Sequence, residues 1–318
     1  VFPDLNDAGI KIVMDTCTKV IKETFGEEVE VEINPIAQKA SGSGPLSGVK
    51  HIIAVASGKG GVGQSTVAAN LAVALAKKGK KVGLLDADIY GPSVPLMFGL
   101  ENTQPKATEV NGKTKVLPID QHGIKVLSIG FFVKPEQALI WRGPMVTQAL
   151  EQLLNDTKWS GIDYLIIDLP PGTGDIQLTL AQRIPVSGAI IVTTPQDIAL
   201  LDARKGLKMF EKVEVPVLGI IENMSIHICS QCGHAEHIFG EGGGARMSAD
   251  HGVDLLGSLP LDMRIREQSD SGYPTVAAMQ DSQLSAIYRS IARKTAARLA
   301  NKGRDHSSAF PNIVIQNT

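Results

Sequence analysis

Cysteine is scarce in this chain: there are three in 318 residues, two of them in the run CSQC at 229–232. That scarcity excludes a disulfide-stapled secreted scaffold and predicts a reducing, cytoplasmic setting. An excess of either charge is missing as well. Lys and Arg number 31 against 33 Asp and Glu, a formal net charge of −2 with no long basic run. The electrostatic footprint of a nucleic-acid binder is therefore lacking, and no nucleic-acid partner is expected. Long apolar runs are absent too. The longest, in the 163–169 region and at 186–194 and 215–221, fall far short of the ~20 residues that cross a bilayer, so no membrane partner is expected. No signal peptide heads the chain, and a start at Val1 rather than Met predicts a processed, trimmed or fragmentary chain. The 43% hydrophobic and 20% charged content is ordinary for a globular protein. The length allows one large domain, or one with a small appendage.

Apolar positions Leu5, Ile10, Val13, Met14, Cys17, Val20 and Ile21 recur at helical spacing over 5–24, and EEVEVEI at 27–33 alternates as a strand does. Residues 1–39 thus read as the α/β remnant of a small domain, with Cys17 as a core residue. The run ASGSGPLSG gives a flexible linker over 40–48. From His51 the rhythm becomes strand–helix–strand. Strands are predicted at 51–56, 81–86, 124–129, 163–168, 188–193 and 215–221, and helices at 64–78, 143–156, 175–183, 197–211, 243–251 and 282–300. Near-continuous apolar strands alternating with helices predict an α/β, doubly wound, mostly parallel sheet over 49–302, with ligands at the carboxyl ends of its strands. The stretch 303–318 shows no periodicity and reads as a loosely held tail.

Between the first strand and the first helix stands SGKGGVGQST, 57–66. Glycines 58, 60, 61 and 63 let backbone N–H groups turn inward around a phosphate, and the helix that follows aims its positive end at the same place. Ser65 stands where a Mg²⁺ ligand belongs in G-x-x-x-x-G-K-[ST]. That pattern calls for lysine at 64, and this chain has Gln64. Glutamine can hydrogen-bond a phosphate oxygen but cannot neutralise its charge. A unit charge pair at ~4 Å is worth about 1 kcal/mol in water and about 4 kcal/mol at an effective dielectric of 20. Two further strands end in aspartates: LLDADIYGPS (84–93) with Asp86 and Asp88, and LIIDLPPGTGD (165–175) with Asp168. Lone strand-end aspartates are usually turn or cap residues. Two such motifs in step with a phosphate loop point instead to holding Mg²⁺ and orienting an attacking water. Asn223, in IIENMS, is placed to hold an adenine edge, or else to serve a turn.

GKGGVGxST, DADIYGPSVP, WRGPM (141–145), DYLIIDLPPGTGDIQLTLAQ (163–182), TTPQDIALLDARKG (193–206) and PVLGIIENMS (216–225) together resemble the Mrp/ApbC family. These are iron–sulfur cluster carriers within the deviant Walker A group that includes MinD and ParA. The resemblance spans about residues 49–300. It implies an ATP and Mg²⁺ site along Gly58, Lys59, Gly60, Gly61, Val62, Gly63, Gln64, Ser65 and Thr66, with Asn223 at the base. It implies catalytic roles for Lys59, Asp88 and Asp168, with Lys59 reaching the phosphates of a partner subunit in a homodimer. It also implies cluster scaffold proteins and apo iron–sulfur proteins as partners. Gln64 departs from the family's lysine and puts hydrolysis in doubt.

Three chemistries are open to Cys229 and Cys232 in HICSQCGHAEH (227–237). A [4Fe–4S] cluster takes four thiolates, so two chains must share it, in agreement with the dimer. Zinc could use both cysteines with His234 and His237 in one chain, although the one-residue gap between the pairs strains closure. A dithiol redox pair lacks the helix start that activates such thiols. A positioning or partition ATPase without a cluster is the competing function, but it leaves CSQC without a role. A reductase component places its cluster cysteines far apart in sequence, unlike this pair. Elsewhere, Met209 and Phe210 read as core, His122 and His251 as exposed, and GEGGGAR (240–246) as a flexible connection. Trp141 and Arg142 read equally as partner contacts or as a packed Trp and a surface Arg.

Overall fold

The structure, a computed structural model, describes residue 46 and residues 48–110, 112–133 and 143–302. The predicted helix over 5–24, the strand at 27–33, Cys17, Trp141, Arg142 and the tail lie outside the described residues. The chain divides into two compact units, residues 1–42 with 300–318, and residues 43–299. The second carries the architecture described here.

Its strands are β1 (Val49–Ser57), β2 (Val82–Asp86), β3 (Ala107–Val110), β4 (Lys113–Val116), β5 (Ile119–Gln121), β6 (Ile124–Ser128), β7 (Ile162–Asp168), β8 (Gly188–Thr193), β9 (Val217–Glu222), β10 (His227–Ile228), β11 (Ala235–Glu236) and β12 (Leu255–Ser258). Its helices are α1 (Gln64–Ala76), α2 (Val94–Met97), α3 (Gly143–Asp156), α4 (Asp175–Arg183), α5 (Asp197–Lys212), α6 (Gly243–His251), α7 (Met263–Asp270), α8 (Thr275–Ala278) and α9 (Gln283–Lys302). Eight strands form one sheet in the order β12-β9-β8-β1-β7-β2-β6-β5. All neighbours in it run parallel except β5 against β6. The central strands are buried along nearly their whole length, as unbroken runs such as YLIID and AIIVT require. From β1 the chain builds outward to β2 and β6, returns through β7, and then builds the other side through β8, β9 and β12. That reversal at β1 opens a crevice at the carboxyl ends of the strands.

Helix α1 packs on β1, β2 and β7. It is apolar on nearly every side, from Val67 to Leu75, as a helix enclosed by protein must be. Asn70, in the middle of the helix, is fully buried and satisfied at both ends. It donates to the Thr66 carbonyl at 2.9 Å and accepts from the Val276 N–H of α8 at 2.9 Å.

All six predicted strands and six predicted helices are present in the described chain. The unanticipated parts are marginal ones. Both sheet edges, β5 and β12, are only 3 and 4 residues long, too short for a periodic signal. His122 and Gly123, both at positive φ (49° and 82°), make the tight turn that reverses β5 onto β6. His122 is consequently half-buried rather than exposed. Its ring lies between Phe98 and Tyr273, with centroids 5.8 and 5.1 Å away, and Nε2 is 3.1 Å from the Gly272 carbonyl. His251, at the end of α6, is also half-buried. GEGGGAR is packed rather than slack. A Cβ on Gly243 would come 2.5 Å from the Pro195 carbonyl, and one on Gly244 2.9 Å from Glu222. The Gly244 N–H donates to buried Glu222 at 2.5 Å, so the anion at the start of α6 is the chain's own carboxylate. Met209 and Phe210 are in the core, as expected.

Candidate functional site: a phosphate cradle beside a cysteine hairpin

The loop after β1 borders a cavity of about 290 Å³, lined among others by Gly60, Gly63, Ser65, Thr66, Asp88 and Pro171. Gly61 and Gly63 sit at φ 82° and 78°, a region other residues enter only with strain. A Cβ on Gly63 would lie 2.3 Å from the Asn223 amide nitrogen. Helix α1 starts from Gly63 with no side-chain cap and no acidic residue in its first turn. Its leading N–H groups and the positive end of its dipole thus face the cavity without an internal anion. A phosphate group fits these residues on charge and on space.

The aspartates meet on neighbouring strands. Asp86 of β2 and Asp168 of β7 stand opposite each other in register, and both are completely buried. Asp86 accepts from the N–H groups of Asp88 and Val94 (3.1 Å each) and from the Ser128 hydroxyl (3.0 Å). Burial, followed by the charge of Asp168, pushes its pKa well up, against the pull of those hydrogen bonds. Asp168 is likewise pushed up by burial, opposed by hydrogen bonds from Ser65 and Gln64. Asp88 is half-buried on the cavity wall. Its Oδ1 accepts from the N–H groups of Tyr90 and Gly91 at 3.2 and 3.3 Å, and burial raises its pKa.

Gln64 lies where the spacing puts it, but its amide turns away from the phosphate cradle. Nε2 donates to Asp168 Oδ1 at 2.7 Å, to the Leu169 carbonyl at 2.5 Å and to the Val55 carbonyl at 3.1 Å. The spacing did not suggest this contact with the strand-end carboxylate. Gly58 and Lys59 do not line the cavity of their own chain. Gly58 is pressed against α5, where a Cβ would meet the Asp202 backbone at 2.1 Å. Lys59 is half-buried and makes no ion pair among the described residues. Asn223 is buried behind the loop, and its amide donates to the Val62 carbonyl at 2.9 Å. That contact ties the end of β9 to the phosphate loop, a role the sequence alone did not suggest. The Gly172 N–H donates to the Ser57 carbonyl at 2.9 Å and so ties the loop to the segment after β7.

Four residues beyond Asn223 the chain enters the β10–β11 hairpin, with CSQCG as its turn. The Cys229 N–H donates to the His234 carbonyl and the Gly233 N–H to the Cys229 carbonyl, each at 2.9 Å, with Gly233 at φ 73°. Both thiols are free, Cys229 half-buried and Cys232 exposed. The backbone N–H groups of Cys232 and Gln231, followed by the Cys232 thiol, lower the pKa of Cys229. The turn therefore favours a thiolate, although no helix start is present to do so. His237 spends Nδ1 on the Ser225 carbonyl at 2.7 Å, and His227 spends Nδ1 on the Leu261 carbonyl at 3.1 Å. Among the described residues no three His, Cys, Asp or Glu gather to hold a metal, so Cys229, Cys232, His234 and His237 are not assembled as one zinc site.

Comparison with known proteins agrees with this arrangement. The family described as "ParA: NUBPL iron-transfer P-loop NTPase" matches residues 48–296. An "Iron-sulfur cluster carrier protein" of Pseudomonas fragi is 57% identical over 267 residues, 83% of this chain and 92% of that one. Its namesake in Escherichia coli K12 is 58% identical over 258 residues, 81% and 69% of the two chains. Among solved structures, a nucleotide-binding protein of Archaeoglobus fulgidus in complex with ADP superimposes with a TM-score of 0.63. It is 39% identical and covers 72% of this chain and 88% of its own. With the matched region running from the start of β1 into α9, the chain belongs to the ParA family of NUBPL-type iron-transfer P-loop NTPases.

Proposed function

We propose that this chain is an ATP-binding iron–sulfur carrier of the cytoplasm that works as a homodimer. Two copies hold a labile [4Fe–4S] cluster on their paired Cys229 and Cys232 thiolates. They receive it from scaffold proteins and hand it to apo-proteins. The observation that carries this reading is a thiolate-favouring CSQC turn that begins six residues beyond Asn223, whose amide is bonded to the phosphate loop. Two thiolates per chain and four per cluster require two chains.

The loop N–H groups and the α1 terminus bind the ATP phosphates. Ser65 would hold Mg²⁺, with Asp168 the carboxylate that could support it once freed from Gln64, and the ion would supply neutralisation of phosphate charge. Asp88 orients the attacking water, and Lys59 serves the phosphates of the partner subunit. Without a cation at 64, hydrolysis in this chain is weak. Movement of the loop reaches the cysteine turn along Val62, Asn223, Ser225 and His237, a continuous run of chain and hydrogen bonds.

The test is anaerobic reconstitution with ferrous iron and sulfide, measuring iron, sulfide and zinc per dimer. The expected result is iron and sulfide in equal amounts, with a visible absorption band that Cys229→Ala abolishes. Zinc without sulfide, or a variant indistinguishable from the parent, would overturn the carrier reading.

A further inference from the structure

Gln64 borders the phosphate cavity but is only 7% exposed, and its amide nitrogen joins three parts of the site. It bonds the end of β1 through the Val55 carbonyl, and the end of β7 through the Asp168 carboxylate and the Leu169 carbonyl. Two hydrogens serve three acceptors, so one is shared. Gln64 Oε1 and Asp168 Oδ2 are both buried without a hydrogen-bond partner among the described residues. No ion pair from Lys or Arg reaches Asp86 or Asp168 among those residues either. The amide thus holds Asp168, alongside the hydrogen bond from Ser65.

We infer that Gln64 is a positioning residue that latches Asp168 and withholds it from the Mg²⁺ that accompanies nucleotide. The physical reason is an asymmetry between glutamine and lysine. A lysine on Asp168 exchanges one anion for another when phosphate arrives, so moving across releases the carboxylate at little cost. A neutral amide has no charge to gain from phosphate, and leaving would break its hydrogen bonds to a buried carboxylate and two carbonyls. Gln64 therefore stays in place. Nucleotide binds to the loop N–H groups and the α1 terminus, while the cation lacks its protein-side support. This deepens the nucleotide-site reading and rests on it. Loss of hydrolysis then has two causes, a missing charge and a detained carboxylate.

The test is binding of a fluorescent ADP analogue, with and without Mg²⁺, to the parent, Gln64→Met and Gln64→Lys. Methionine keeps the length and removes the donor; lysine restores the mobile charge. The parent is expected to bind with an affinity that Mg²⁺ changes less than about twofold. Both variants are expected to gain roughly tenfold from Mg²⁺, the size of one charge-assisted contact. A general packing role would shift both conditions together and leave their ratio unchanged. Thermal melting without ligand is expected to place Gln64→Met below the parent, because Asp168 loses its amide donor. Mg²⁺ enhancement in the parent equal to that in Gln64→Met overturns the latch and leaves the nucleotide site standing. Absence of ADP binding in all three proteins overturns the nucleotide reading and the latch with it.

Discussion

Asp86 and Asp168 place two carboxyl groups at one register position of a buried sheet, and Asp168 has an amide as its neighbour where the phosphate-loop pattern has an ammonium. From an ordinary value of 3.8, burial and their mutual repulsion raise Asp86 to about 8, and burial raises Asp168 to about 7. A group whose folded pKa exceeds its unfolded one stabilises the fold below the unfolded value, and that contribution is lost as pH rises through the folded value. The urea midpoint is therefore expected to fall as pH rises from about 4 to about 8. The fall should be smaller in Gln64→Lys, whose ammonium favours the ionised acids; equal slopes in the two proteins would contradict it. The same variant is expected to raise ATP turnover by an order of magnitude or more, read as phosphate release, since ~1.4 kcal/mol at the transition state is tenfold in rate. The sequence showed that residue 64 was anomalous. It could not show where the side chain turned, because the acceptor on Asp168 is 104 residues away.

The phosphate loop is held between two elements, and glycine is what lets it fit. Gly58 touches the backbone of α5, and Gly63 touches Asn223 after β9. Gly58→Ala cannot be accommodated without moving α5 or the loop. Overpacking of this kind costs about 1–3 kcal/mol, and the expected outcome is a lower melting temperature together with weaker nucleotide binding. A melting curve superimposable on the parent's would show that the contact is not tight. Elements with many consecutive apolar residues, such as β1, β7 and β8, were legible because burial on both faces leaves a continuous apolar run. The edge strands β5 and β12 were not legible, and neither was the packing of GEGGGAR. Short strands carry no period, and a glycine run looks the same in a slack loop and against Pro195 and Glu222. The CSQC turn showed the opposite limit. The spacing of its cysteines was plain, whereas the lowered pKa of Cys229 comes from backbone N–H groups whose direction depends on the hairpin.

At the scale of the molecule, the proposed cluster site is half a site. Reconstituted protein is expected to run as a dimer in anaerobic size-exclusion chromatography, and Cys232→Ala treated in the same way is expected to stay monomeric. A dimer that forms equally in that variant would place the association elsewhere. No helix among the described residues is long and apolar enough to cross a membrane. The exposed side chains Ile198 and Leu201 stand at the start of α5, Ile198 one turn before and Leu201 next to the Asp202 that backs the phosphate loop. Polar substitution there tests whether the same face takes part in pairing.

Taken by itself, the sequence determined the parallel sheet, the phosphate loop, the strand-end aspartates and the cysteine pair. Each is written in local spacing, and local spacing fixes which groups stand at the end of which strand. The tertiary structure alone decided that Gln64 serves Asp168, that Asn223 holds the loop from behind, and that His237 is committed to a carbonyl. Those contacts join residues that only the winding of the sheet brings together, because β1, β7 and β9 deliver their carboxyl ends to one crevice.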